Sequence, residues 1–345
     1  MRFYYITSFV ISFFYSSSFL FSFEIEKKFI YQSGKGLETL KVISTTDIGV
    51  FEPIIKKFQE TYDDIDIEYV VASSSETMKA IYDENALFDL VISSAMDLQT
   101  KIANDGLAKS YSSIETEKLP VWAQWRGQVF AFTQEPAVMV ISKKGFKNFS
   151  IPKTRDQLVD LLRKNSDFFN EKIGTYDVRK SGLGYLFATQ DSRNTDVFWR
   201  LTEIMGRLNV KLYCCSGDML QDVSSGKLLL AYNVLGSYAE TSLSDYEGLE
   251  IVTFDDFSTV MMRTALIPSF SENPEVAGKF IDFLIKLAMQ TDLIKISGFQ
   301  PVNSDNLLND KRTRPIKLGP GLLVFLDKLR KENFIRNWVS SIQQN

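Results

Sequence analysis

Hydroxyl side chains placed at regular intervals are the chemistry this sequence offers most openly. Thr45 and Thr46, then Ser74, then Ser94 each follow directly on a short apolar run. A hydroxyl both donates and accepts, which suits a ligand that carries hydroxyls beside an anionic group. Taken singly, each loop reads as a helix cap. Three such loops in succession along one sheet edge read as a binding rim. Arg126 and Arg179 are the charge partners to consider, because a guanidinium fork matches carboxylate and phosphate. A surface salt bridge for Arg126 and a supporting or solvent role for Arg179 stand beside that reading.

The chain contains no histidine. Ser-His-Asp and Cys-His nucleophile systems are therefore excluded, and histidine-based zinc sites with them. Paired carboxylates remain open to acid–base work, with Asp47, Asp97 and Asp177 as candidates for a hydrolase. Nothing in their spacing singles out a pair. The two cysteines, Cys214 and Cys215, are neighbours. Adjacent residues close only a strained ring, so they are read as two small, separate side chains at a strand end. A vicinal disulfide acting as a switch is the alternative. No metal site and no cofactor is expected.

The elements that must hold these groups alternate between strand and helix. Leu40–Ile43, Asp66–Val71 and Asp89–Ile92 read as buried strands. Val50, Phe51, Ile54, Ile55 and Phe58 recur at helical spacing after the first, with Pro53 expected near that helix's first turn. Helices through Met78–Tyr82 and from Met96 follow the other two strands. Repeated strand–loop–helix units predict a parallel, doubly wound sheet with ligand loops at the strands' carboxyl ends. Strands at Val129–Phe132 and Ala137–Ile141 lead into a second lobe. That lobe contains strands near 172–176, 210–213 and 228–232, and a helix opening at Ser181-Gly182. Val260–Ile267 reads as one strand returning to the first lobe. A helix from Pro274 and a C-terminal helix through Trp338 are placed on that lobe too. Glu135-Pro136 reads as a loop fixed by proline. The expected fold class is α/β, two doubly wound lobes joined by two crossover segments, with a ligand cleft between them. The bounds are 39–135 with 259–345 for the first lobe and 136–258 for the second.

A length of 345 residues, a net charge of −4 and the absence of any basic run describe a soluble two-lobed protein with no nucleic-acid partner. Residues 1–22 read as a signal peptide: a short positive start, then an aromatic-rich apolar run with no charge until Glu24. An uncleaved anchor is the rival reading. No cysteine near the boundary offers a lipid attachment point. The expected location is the periplasm.

These features resemble the extracellular solute-binding proteins of bacterial ABC transporters, in the ferric-iron-type, two-crossover (type II) branch. The likeness rests on Ser44-Thr45-Thr46-Asp47, on Phe88 to Asp97, and on Gly174 to Asp177 running into Ser181-Gly182-Leu183-Gly184. Leu230 to Tyr238 and Gly298-Phe299-Gln300-Pro301-Val302 complete it. It is most similar to the subgroup that includes the phosphoglycerate transport regulatory protein.

The resemblance implies that Ser181, Gly182 and Leu183 form an anion turn of exposed N–H groups at a helix start, where the macrodipole favours negative charge. Asn233 is then expected to add an amide, and Tyr238 to join the site. True iron receptors carry adjacent tyrosines after that asparagine. Here Val234, Leu235 and Gly236 stand there, so ferric iron is kept only as an alternative cargo. The implied function is capture of a small organic phosphate, phosphonate or carboxylate by lobe closure, without catalysis, by a monomer that delivers it to a membrane permease. Presentation of the bound metabolite to a sensor kinase is the other reading.

Overall fold

The computed structural model describes residues 22–289, 297–302 and 311–344, without the side chains of residues 244 and 245. The expected signal segment thus lies outside the described residues except for Ser22. β1 (Lys27–Tyr31), β2 (Glu38–Ser44), α1 (Ile48–Gln59), β3 (Ile65–Val71), α2 (Ser74–Tyr82), β4 (Leu90–Ser93) and α3 (Met96–Asn104) open the fold, followed by β5 (Gln124–Trp125) and β6 (Val129–Ala131). β3, β2 and β4 are parallel neighbours, with Leu40 opposite Ile67 and Val42 opposite Leu90. Parallel neighbours need crossover helices, and α1 and α2 supply them. α1 buries Val50, Phe51, Ile54, Ile55 and Phe58, the stripe that the periodicity predicts. Pro53 sits in its second turn, not its first, and so denies a hydrogen bond to the Gly49 carbonyl four residues back.

β7 (Glu135–Ser142), α4 (Arg155–Lys164), α5 (Ser166–Phe169), β8 (Ile173–Tyr176), α6 (Gly182–Asn194), α7 (Val197–Arg207), β9 (Lys211–Tyr213), α8 (Ser216–Ser224), β10 (Leu230–Leu235), α9 (Gly236–Asp245) and β11 (Leu249–Val252) build the second lobe. The chain continues through β12 (Ser258–Met261), β13 (Thr264–Leu266), α10 (Pro274–Met289) and β14 (Thr313–Pro315) to a C-terminal helix, Lys328–Ile342. One sheet runs β1-β3-β2-β4-β13-β6-β5, the other β14-β12-β7-β10-β8-β9 with β11 beside β7. Both are mixed: in the first, antiparallel strands flank the parallel β3-β2-β4, whereas in the second β7 runs antiparallel to its neighbours and the parallel β10-β8-β9 form one end.

Two short segments cross between the sheets, after β6 and after β12, and the chain returns once more to the second sheet at β14. The stretch Val260–Ile267, expected as one strand, is therefore shared: β12 pairs with β7 in one sheet and β13 with β4 in the other. Between them Arg263 is fully buried and grips Glu135 on the other crossing, Nε to Oε1 at 3.0 Å and Nη2 to Oε2 at 3.1 Å. Thr133 Oγ1 donates to Glu135 at 2.9 Å and accepts from the Arg263 N–H at 2.9 Å. Glu135 thus opens a strand and ties the two crossings together, where the sequence suggests only a proline-fixed loop.

The C-terminal helix departs from expectation. Phe334, Trp338 and Ile342 bury against Phe198, Leu201 and Met205 of the second lobe, not against the first. Gly206 on α7 permits this, since a Cβ there would stand 2.4 Å from the Ser341 carbonyl oxygen. Among the described residues no helix is long and apolar enough to cross a membrane.

Candidate functional site

The carboxyl ends of the parallel strands in the two sheets face each other, and helices start there from both sides. Asp47, Ser73, Ser181, Cys215 and Leu235 are the N-cap residues of α1, α2, α6, α8 and α9. All of them line one cavity of about 60 Å³ between the lobes. Beyond Glu26, Ser73 and Cys214 it opens into an outer recess of about 430 Å³ that Arg179 and Lys180 border.

Hydrogen bonds bridge the cleft around this space. The Gly182 N–H donates to Ser74 Oγ at 2.8 Å, Ser75 Oγ to the Lys180 carbonyl at 2.9 Å, and the Asp47 N–H to Tyr238 Oη at 3.0 Å. A Cβ on Gly182 would lie 2.8 Å from Ser74 Oγ and 2.9 Å from Leu98 Cδ1, so glycine sets how closely the lobes approach.

Helix first turns leave N–H groups without intrahelical partners. On the wall, those of Ser74, Leu183 and Ser216 carry none among the described residues. Ser181 Oγ accepts from the Gly184 N–H at 3.1 Å, and its side chain is buried. Thr45 Oγ1 lies 3.4 Å from Ser94 Oγ and accepts the Ser94 N–H at 3.2 Å. Tyr176 Oη meets Ser216 Oγ at 2.5 Å, and Ser216 Oγ also takes the Leu235 N–H at 3.2 Å.

No lysine or arginine is among the cavity's lining residues, whereas Glu26 and Asp47 are. Partial burial, then the charges of Asp47 and Asp218, push the Glu26 carboxyl above its usual range. Burial raises the phenols of Tyr176 and Tyr238 as well, which disfavours the phenolate a ferric ion requires. Positive potential in this cavity comes from helix starts, and the carboxylates serve as hydrogen-bond acceptors.

Of the residues the sequence nominated, Thr45, Ser74, Ser94, Ser181, Leu183 and Tyr238 line the cavity. Gly182 stands beside it and spends its N–H on Ser74. Thr46 does not reach it: it is fully buried and accepts from Arg263 Nη1 at 2.5 Å. Asn233 turns away, its amide donating to Asp191 Oδ2 at 2.9 Å inside the second lobe. Arg126 is exposed, its guanidinium 4.7 Å above the Trp125 ring, away from the cleft. Arg179 is clamped by Asp177 at 2.8 and 2.7 Å. That leaves Asp47 as the only one of the three acid–base candidates on the wall. Asp97 is buried and accepts from the Leu98 N–H. Cys214 and Cys215, read as separate side chains, are joined in a disulfide.

Sequence reasoning missed Tyr176, Ser216, Leu235 and the cysteine pair as wall residues. Each lies at a second-lobe strand end, so the rule applied to the first lobe would have found them. Glu26 precedes an antiparallel edge strand and gave no such signal.

Two α/β lobes joined by two short crossings and a later return of the chain to the second lobe, with a polar cavity at their strand ends, define a periplasmic binding protein of type II. Residues 40–300 match the family model for bacterial extracellular solute-binding proteins, and the chain belongs to that family. The substrate-binding protein of an ABC transporter from Agrobacterium tumefaciens is similar over 92% of this chain and 98% of that one, at 31% identity and a TM-score of 0.86. AfuA from Actinobacillus pleuropneumoniae, solved with exogenous fructose-6-phosphate bound, shares the fold at 16% identity and a TM-score of 0.71, over 89% of this chain and 99% of that one. A ferric binding protein from Campylobacter jejuni does so at 18% identity and a TM-score of 0.60, over 88% and 97% of the two chains. No curated protein matches in sequence. The family is one of transport solute-binding proteins, not of enzymes.

Proposed function

We propose that this chain, exported to the periplasm and acting as a monomer, captures a small hydroxylated anion between its lobes and delivers it to the permease of an ABC transporter. The observation that carries the reading is the convergence of five helix N-caps on one cavity. Each start contributes oriented N–H groups and about half a positive charge, which supports an anion without any lysine or arginine. Thr45, Ser94, Asp47 and Glu26 then accept from, or donate to, the hydroxyls of the solute. Wall groups from both lobes engage it together only when the lobes meet, so binding favours the closed arrangement. Ferric iron fits poorly, because the cavity offers raised phenols in place of an adjacent tyrosine pair.

A thermal-shift panel tests the reading with inorganic phosphate, glycerol 3-phosphate, fructose 6-phosphate, a phosphonate, a dicarboxylate and neutral glycerol. One or more of the anions is expected to raise the midpoint, through a stabilisation of about 2.7 kcal/mol at a hundredfold excess over Kd, while glycerol is inert. Stabilisation by neutral or cationic compounds alone would show the anion assignment to be wrong.

A further inference from the structure

The Cys214–Cys215 disulfide lies on the wall of the solute cavity, and the two sulfurs stand in different surroundings. Cys214 is exposed and also borders the outer recess, with Asp218 Oδ2 3.8 Å from its sulfur. Cys215 is half-buried and is the N-cap of α8. A carboxylate opposes negative charge on the first sulfur, and a helix start favours it on the second.

We propose that this pair is a thiol–disulfide exchange site, open to an external dithiol from the outer recess, whose reduction loosens the cavity wall and weakens solute binding. The thiolate of the dithiol attacks the exposed Cys214 sulfur. The Cys214–Cys215 bond breaks, and Cys215 leaves with the electron pair as a thiolate stabilised at the α8 start. The second thiol of the reductant then displaces Cys214 from the mixed disulfide. The reductant ends as a disulfide, the protein as two thiols, and the two protons the reductant loses are those the cysteines gain.

The consequence reaches the solute through the neighbouring residue. Ser216 follows Cys215 directly, carries on the wall an N–H with no partner among the described residues, and holds both Tyr176 Oη and the Leu235 N–H. Opening the ring frees the Cys214–Cys215 peptide, one residue before Ser216, so these wall groups lose their fixed placement. The coupling to solute rests on the function proposed above; the exchange chemistry and the loosening do not.

Hydrogen exchange on the full mature chain, oxidised and then reduced with dithiothreitol, reads the loosening with no solute present. The amide of Leu235, which Ser216 Oγ holds, is expected to exchange about tenfold faster after reduction, and Cys214→Ser/Cys215→Ser is expected to match the reduced protein. Equal exchange in both states would overturn the proposal. Oxidised protein treated with glutathione and quenched with acid is expected to carry the mixed disulfide on Cys214; finding it on Cys215 would overturn the order of attack. Phosphate binding is expected to be about tenfold weaker in the reduced state, the equivalent of one hydrogen bond's placement. If the oxidised protein binds phosphate, equal affinity in both states would overturn the coupling. If no anion of the panel binds it, the anion reading falls, while hydrogen exchange still decides the proposal.

Discussion

At the scale of single residues, the proposed anion meets no side chain of opposite charge on the cavity wall. Ser181 concentrates the point: its hydroxyl caps α6, and the Leu183 N–H beyond it has no partner among the described residues. Aspartate caps a helix as well as serine does. Ser181→Asp is therefore expected to keep the fold while weakening phosphate binding by on the order of a hundredfold, because it adds a like charge at the site. Calorimetric titration measures it, and undiminished affinity would move the anion elsewhere. Asp97 supplies a second test. Burial raises its carboxyl to about 7, with the backbone N–H of Leu98 and the charge of Lys331 opposing. The folded protein then holds a proton that the unfolded chain releases near pH 4, so the carboxyl weakens the fold progressively as pH rises from about 4 to 7. Asp97→Asn is expected to flatten that part of the stability–pH curve and to gain on the order of 1 to 3 kcal/mol at pH 8. Urea unfolding at several pH values reads both effects; parallel curves for the two proteins would count against them.

At the scale of elements, function follows from where strands end. A parallel strand delivers the chain to a helix start at its carboxyl end, and in this molecule the two sheets set those ends against each other. The contact between α6 and α2 sets the separation, through the Gly182 N–H and Ser74 Oγ. Gly182→Ala places a methyl group 2.8 Å from that oxygen and 2.9 Å from Leu98. Each lobe is expected to stay intact while closure is held back, lowering affinity for the stabilising anions about tenfold with little change in midpoint without solute. A large loss of stability in the solute-free protein would instead make Gly182 a folding residue.

The whole molecule depends on two crossings that act as one. The Arg263–Glu135 pair is wholly buried, its oxygens further bonded to Thr133 and Ser237, and Arg263 also reaches Thr46 in the first lobe. Such a pair is tolerable because nearly every donor and acceptor in it is used. Arg263→Met leaves a carboxylate buried without its partner and is expected to cost about 3 to 5 kcal/mol, with Glu135→Gln/Arg263→Met recovering part of it. Equilibrium denaturation measures the loss, and an unchanged midpoint would mean that the crossings are held by packing alone. The pair stands behind Thr46 and against Ser237 of α9, the helix that carries Tyr238.

Local pattern determined the strands and helices of the first lobe, since apolar spacing depends only on near neighbours. The lack of histidine likewise excluded whole classes of catalysis from the sequence alone. The hydroxyl rim was legible for the same reason: Thr45, Ser74 and Ser94 follow strands that the periodicity already marks. Only the tertiary structure decided which polar groups face the cleft. Asn233 and Thr46 look like binding residues until Asp191 and Arg263 claim them, and those partners lie 42 and 217 positions away in the chain. The C-terminal helix likewise took the lobe where Gly206 let its backbone approach, a fit that its own amphipathic pattern does not encode. Side-chain hydrogen bonds between distant segments depend on how the sheets are set against each other, and no periodicity within one segment carries that information.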